Sequence, residues 1–67
     1  MTDRSKILYY EVYEIWGNWK WKIYHYDSTG IKEIVLHYSN LAFDEKEAAE
    51  GDCVLFMDDM NIYAQMR

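Results

Sequence analysis

The chain has no proline, a single cysteine and no long apolar run. Nothing in the sequence divides it into parts, and 67 residues make one domain close to the lower size limit for a single core. Cys53 has no second cysteine to pair with, which indicates a reducing compartment. The longest apolar run, residues 53–57, is too short to span a membrane, and the amino-terminal residues do not resemble a signal peptide. We therefore expect a soluble, cytoplasmic protein.

Aromatic side chains are abundant instead: three tryptophans, seven tyrosines and two phenylalanines make up 18% of the chain. Each large ring can bury about 150–250 Å² of surface, so a few of them can supply most of a small core. This composition predicts a domain that folds around aromatic residues rather than around a cross-link.

The first two predicted strands are residues 6–16 and 19–26, both rich in β-branched and aromatic residues. Gly17-Asn18 between them is typical of a two-residue type II′ hairpin turn. A loop at these two residues pairs Trp16 with Trp19. One face of the predicted hairpin is then largely apolar and consists of Leu8, Tyr10, Val12, Trp16, Trp19, Trp21 and Ile23.

The third predicted strand is residues 31–38, after a turn at residues 27–30. A four-residue loop pairs Trp21 with Leu36 and places the apolar residues of this strand on the same core face. A slip of one residue would move them to the other face. The two turns therefore agree on one core face.

The carboxyl-terminal part predicts a helix at about residues 44–59. Asp44 followed by Glu47 is typical of a helix cap with a capping-box partner. Apolar residues then recur at spacings of four and three, which places them along one helical stripe: Ala49, Cys53, Phe56, Met60 and Tyr63. Gly51 leaves an alternative open, in which a short helix ends there and residues 53–57 and 62–66 form a second hairpin.

Together these elements predict an α+β fold, a three-stranded antiparallel β-meander packed by one carboxyl-terminal helix. On this sheet His25 and His37 lie on opposite faces, so they cannot share a metal ion. Cys53 has no histidine placed near it, which favours a buried thiol over a nucleophile. Phosphate-binding glycine loops, CxxC and HExxH motifs are missing from the sequence. We expect a protein that is not an enzyme and uses neither cofactor nor metal.

Charge is distributed unevenly along the chain. Residues 1–43 hold five acids and five bases, whereas residues 44–59 hold seven acids against Lys46 alone, a local net charge of 1 − 7 = −6. Such a segment is either a solvated helix surface or an array of carboxylates that mimics nucleic-acid phosphates and binds a basic groove. The candidate partner-binding residues are Asp44, Glu45, Glu47, Glu50, Asp58 and Asp59.

An alternative binding surface is the opposite face of the predicted sheet, which carries Tyr9, Tyr13, Tyr24 and Tyr26. Aromatic sheets with nearby cations can stack single-stranded nucleic acid. The overall charge of −5 and the presence of only Lys20 and Lys22 on this face argue against direct nucleic-acid binding. Contact with a protein, or simple exposure to solvent, remains open for this face.

The chain resembles the YegP-like family of small bacterial proteins over roughly residues 9–57. The matching segments are Trp19-Lys20-Trp21-Lys22-Ile23, the turn at Gly30, Tyr38-Ser39 and Glu47-Ala48-Ala49-Glu50-Gly51. Members of this family commonly carry two tandem repeats of a three-stranded meander and a helix, whereas this chain has room for one. The resemblance implies the fold and a dimer that replaces the missing repeat. It implies no catalytic residue.

Two functions follow as expectations. The first is a small acidic inhibitor that blocks a basic site on a nucleic-acid-handling protein or complex, similar in size and charge to bacteriophage inhibitors of restriction or CRISPR machinery. The second is a dimeric housekeeping or stress-associated module of the YegP-like kind. In either case we expect a protein partner, no membrane association, and a symmetric homodimer formed through the tyrosine-bearing face or an edge strand.

Overall fold

The structure, a computed structural model, describes residues 7–66. Its elements in chain order are β1 (Tyr9–Ile15), β2 (Asn18–Tyr26), β3 (Glu33–Tyr38), α1 (Lys46–Met60) and β4 (Gln65–Met66). The strands form one mixed sheet in the order β3-β2-β1-β4, in which β1, β2 and β3 are antiparallel and β4 is parallel to β1. The predicted α+β class is confirmed. The prediction of three strands, all antiparallel, is wrong, and the predicted start of the first strand at residue 6 lies outside the described residues.

The first hairpin turns one residue earlier than predicted. Trp16 and Gly17 have φ values of 54° and 82°, so both occupy the central positions of a type I′ turn, and Ile15 pairs with Asn18. Because the loop moves by one residue, each residue of the first strand pairs with a residue two positions away from its predicted partner. Each face therefore keeps its predicted residues except Trp16, which was predicted on the core face. It lies in the turn and is 93% exposed, so its predicted core position and its predicted pairing with Trp19 are both wrong.

The second turn is longer than predicted because the Asp27 carboxylate organises it. Asp27 Oδ1 accepts hydrogen bonds from the backbone N–H of Thr29 and Gly30, both at 3.1 Å, and from the Thr29 hydroxyl at 2.6 Å. The hydrogen bond from the Thr29 hydroxyl is the main reason that the pKa of Asp27 lies below its usual value. The backbone N–H of Asp27 donates to the Lys32 carbonyl at 2.9 Å, so the loop extends to residue 32 and β3 begins at Glu33.

A bulge in β3 overturns the predicted neighbour of Trp21. Tyr24 pairs with Val35 but Ile23 pairs with His37, which leaves Leu36 as an extra, exposed residue. The prediction that Leu36 lies against Trp21 is therefore wrong. His37 was predicted on the face away from the helix, and it lies instead on the helix face with its ring 5.0 Å from that of Phe56.

The core lies between α1 and the β1–β2 hairpin. Its buried members are Tyr10, Trp21, Ile23, Ala49, Cys53 and Ala64, and Leu8, Val12, Trp19, Phe43, Phe56 and Met57 pack around them. The predicted stripe is thus confirmed for Ala49, Cys53 and Phe56. Met60, the last residue of the helix, is exposed, and so is Tyr63, which lies beyond the helix end at Asn61, where φ is a left-handed 58°.

The helix is continuous through Gly51, so the alternative of a short helix followed by a hairpin is wrong. Its start is fixed by the connection from β3, because Phe43 and Trp19 exchange two backbone hydrogen bonds of 2.7 and 2.8 Å. After the helix the chain returns to β1, where the N–H of Gln65 donates to the Leu8 carbonyl at 2.9 Å. Within the described residues, no helix is both long and apolar enough to cross a membrane.

Candidate functional site

The solvent-facing side of α1 and the residues that precede it carry exposed carboxylates. Asp44, Glu45, Glu47, Asp58 and Asp59 are all exposed, and we call these five residues the acidic helix surface. Between residues 7 and 66 the ion pairs of the structure join Lys22 to Glu11 and Glu33, so none of the five is neutralised by an ion pair within the described chain.

The surface consists of an amino-terminal and a carboxyl-terminal group. With roughly 100° of rotation and 1.5 Å of rise per residue, Glu47 and Asp58 lie on the same side of the helix about 16 Å apart. Val54 lies on the same line between them and is exposed, as is the adjacent Leu55. The surface therefore has acidic ends and an apolar centre, a pattern that suits contact with a protein.

Two other acids of the helix turn towards the sheet. The Tyr10 hydroxyl donates to Glu50 Oε2 at 3.5 Å, and the Trp21 indole N–H donates to Asp52 Oδ2 at 2.8 Å. Burial, followed by the negative charge of Glu50, raises the pKa of Tyr10. Glu50 was predicted to bind a partner, and the structure places it half-buried beside the core, apart from the exposed acids.

The ends of the helix differ in how well they tolerate acids. Its N-cap is Glu45, which makes no side-chain capping bond, so the predicted cap at Asp44 is wrong. Glu47 in the first turn is nevertheless favourable, because the partial positive charge of the helix dipole lies there. Asp58 and Asp59 lie at the opposite end, where the dipole is negative, and the last turn contains no basic residue. The negative charges of Asp58 and Asp59 therefore destabilise the helix.

The four predicted tyrosines share the sheet face opposite α1, as expected, and we call them the tyrosine face. The rings of Tyr9, Tyr24 and Tyr26 form a mutual cluster with centroid distances of 5.7–5.9 Å. Tyr24, one of the four candidate contact residues of this alternative surface, is 0% exposed. Its ring is part of the packing of the domain.

Lys22 completes this face but offers little net charge. Its Nζ lies 2.8 Å from Glu33 Oε1 and 3.9 Å from Glu11 Oε1. The hydrogen bond to Glu33 is the main reason that the pKa of Lys22 is raised. The same amine lies 5.2 Å from the centre of the Tyr24 ring. A cation that already has two carboxylates beside it is poorly suited to hold a nucleic-acid phosphate.

The groups with catalytic potential are embedded in the packing. Burial raises the pKa of the Cys53 thiol to about 12, so the thiol is protonated at neutral pH. The buried His25 has its Nδ1 atom 2.9 Å from the Tyr26 carbonyl oxygen. Among the described residues, no group of three or more His, Cys, Asp or Glu side chains could hold a metal ion.

A small cleft of about 170 Å³ opens between the first half of α1 and the edge of β1. Typical small-molecule sites measure about 300–1,000 Å³, so this cleft is below the usual range. Its lining consists of Tyr10, Glu11, Val12, Lys46, Glu50 and Met66.

A scan against protein-family models, a search of curated proteins and a search of solved structures each found no match to this chain. The YegP-like resemblance stays a prediction.

Proposed function

We propose that the protein is a small, non-enzymatic interaction protein whose acidic helix surface occupies a basic, nucleic-acid-binding site on a partner protein. The observation that carries this proposal is the position of Asp58 and Asp59. Acids at the start of a helix stabilise it, so the amino-terminal group needs no further explanation. Acids in the last turn destabilise it, and a local cost without local compensation is typical of a functional residue.

The apolar centre of the surface supports a protein as the partner. Val54 and Leu55 are exposed between the two acidic groups, and Leu55 is 69% exposed. Interfaces typically surround an apolar centre with a polar rim. Exposed carboxylates at both ends would steer the approach to a basic groove, and the apolar centre would hold the complex once formed.

Affinity capture from the source organism, followed by competition, tests this proposal. We expect the captured partner to release the protein when duplex or single-stranded nucleic acid is added. Affinity should fall steeply with salt, because exposed charges are screened over about 8–10 Å at physiological ionic strength. A complex that binds nucleic acid and this protein together, with an affinity insensitive to salt, would contradict the proposal.

The second candidate is a homodimer of the YegP-like kind, and the observation that favours it is the edge strand β3. Ile34, Val35, Leu36 and Tyr38 are all exposed. The outer edge of β3 pairs with no strand among residues 7–66. Apolar strand edges of this kind readily pair with another chain.

Dimerisation through β3 predicts a specific effect of Val35→Lys. The wild-type chain should sediment as a dimer at several hundred micromolar, and the variant should be a monomer, because a lysine on an edge strand opposes pairing. Leu55→Lys, a matched change on the helix surface, should leave the dimer intact. A wild-type monomer at this concentration would exclude the dimer.

A further inference from the structure

The residue at the tip of the first hairpin has both an unfavourable backbone conformation and an unfavourable exposure to solvent. Trp16 is 93% exposed and has a φ of 54°, in the left-handed region that bulky residues rarely adopt. Type I′ turns prefer asparagine, aspartate or glycine at this position. A tryptophan here gains almost nothing from burial within the described chain, and exposed tryptophans are enriched among the residues that dominate protein interfaces.

The charges near this tip indicate what Trp16 would contact. Glu14 is exposed and pairs with Trp19 at the end of the hairpin. The backbone of Trp19 is in turn hydrogen-bonded to that of Phe43, the residue directly before Asp44 and Glu45. The tip therefore lies at the same end of the sheet as the amino-terminal group of the acidic helix surface.

We propose that Trp16 is a binding residue that stacks on an arginine or lysine side chain of a basic protein partner. This inference rests on the proposed function and extends its contact surface from the helix to the hairpin. The face of an indole ring attracts a cation, and guanidinium groups stack on it especially well. The carboxylates of Glu14, Asp44 and Glu45 lie at the same end of the sheet. They outnumber the cation of Lys46, whose Nζ lies 5.9 Å from the centre of the Trp19 ring in the same region. These carboxylates would balance the charge of further basic residues. They would also repel phosphates, which argues against stacking of a nucleic-acid base.

Trp16→Asn is the decisive variant, because asparagine suits the left-handed turn position. We expect a melting temperature equal to or above that of the wild type. The probe is a fluorescein-labelled oligo-arginine peptide, and its anisotropy reports binding in low salt. Trp16→Asn should weaken binding about two- to fivefold, the range expected for an exposed cation–aromatic contact. Trp16→Tyr should retain an affinity within about twofold of the wild type.

Two further variants distinguish the possible failures. Ile31→Asn removes another strongly exposed apolar residue, 81% exposed, from the turn at the far end of β2, and it should bind like the wild type. The double variant Glu45→Gln, Glu47→Gln should bind the peptide more weakly. If this double variant binds the peptide more weakly while Trp16→Asn binds like the wild type, the role of Trp16 is contradicted, and the proposed binding by the acidic helix surface is not.

If neither the charge variant nor salt changes peptide binding, the proposed function itself fails. In a last experiment, a labelled single-stranded oligothymidylate replaces the peptide in the same anisotropy measurement. Tighter binding of that oligonucleotide, dependent on Trp16, would overturn the inference in favour of base stacking.

Discussion

Replacing Trp21 with alanine is expected to remove a large part, or all, of the stability of the domain. Its side chain is 2% exposed, its ring centre lies 5.1 Å from that of Phe56, and its indole N–H donates to Asp52. Truncating a buried tryptophan costs about 3–5 kcal/mol. Domains are stable by roughly 0.05–0.15 kcal/mol per residue, so this loss approaches the whole stability of a chain this small. The loss of stability can be measured by circular dichroism during heating and during urea titration.

Two controls make the result specific. Trp16→Ala removes the same side chain from an exposed position, and we expect a change in stability under about 0.5 kcal/mol. Trp21→Phe keeps an aromatic ring but removes the hydrogen bond to the Asp52 carboxylate, and we expect an intermediate loss of about 1.5–3 kcal/mol. Should Trp21→Ala melt at the wild-type temperature, the position of the core between α1 and the hairpin would be wrong.

Alternation of apolar residues was enough to predict the faces of the first hairpin for every residue that pairs in it, because side chains of a strand point alternately to its two faces. It could not fix the pairing. Both candidate loops put Gly17 in the turn, and they differ only in whether Trp16 or Asn18 joins it. The sequence favours the asparagine, and the structure uses the tryptophan. The position of Trp16 in the turn could therefore be recognised only once the pairing of the two strands was known.

The third strand was harder to predict because its register depends on side-chain bonds of the preceding turn and on a bulge. The Asp27 carboxylate lengthens the loop, and Leu36 is inserted without a partner, so the alternation pattern changes phase in the middle of the strand. The two-residue β4 is too short to give any periodicity. Its pairing with β1 depends on where the helix ends, which Asn61 decides.

At the candidate site, the charge of the helix segment can be read from the sequence, but the direction of each carboxylate cannot. Glu50 and Asp52 differ from the exposed acids by their position around the helix relative to Tyr10 and Trp21. Helical periodicity could have separated these two residues from Glu47 and Asp58. The hydrogen bonds that hold them could be identified only after the sheet had been paired.

Neutralising Asp58 and Asp59 should change stability and binding in opposite directions. In the double variant Asp58→Asn, Asp59→Asn, two charges that oppose the helix dipole disappear, and we expect a stability gain of about 0.6–2 kcal/mol in sum. At roughly 4–8 °C per kcal/mol for a domain of this size, the rise in melting temperature is easily measured. Affinity for the captured partner should fall by about tenfold or more in low salt, because two of the five exposed carboxylates are lost.

The most direct test compares this variant with Glu45→Gln, Glu47→Gln, which removes the same charge from the other end of the helix. Melting temperature and dissociation constant are measured on the same preparations at low and high salt. We expect both variants to bind more weakly and to lose much of the salt dependence, while the Asp58/Asp59 variant melts above the wild type and the Glu45/Glu47 variant below it. A stabilised Asp58/Asp59 variant that binds as tightly as the wild type would contradict the account and leave the acids as solvated helix surface.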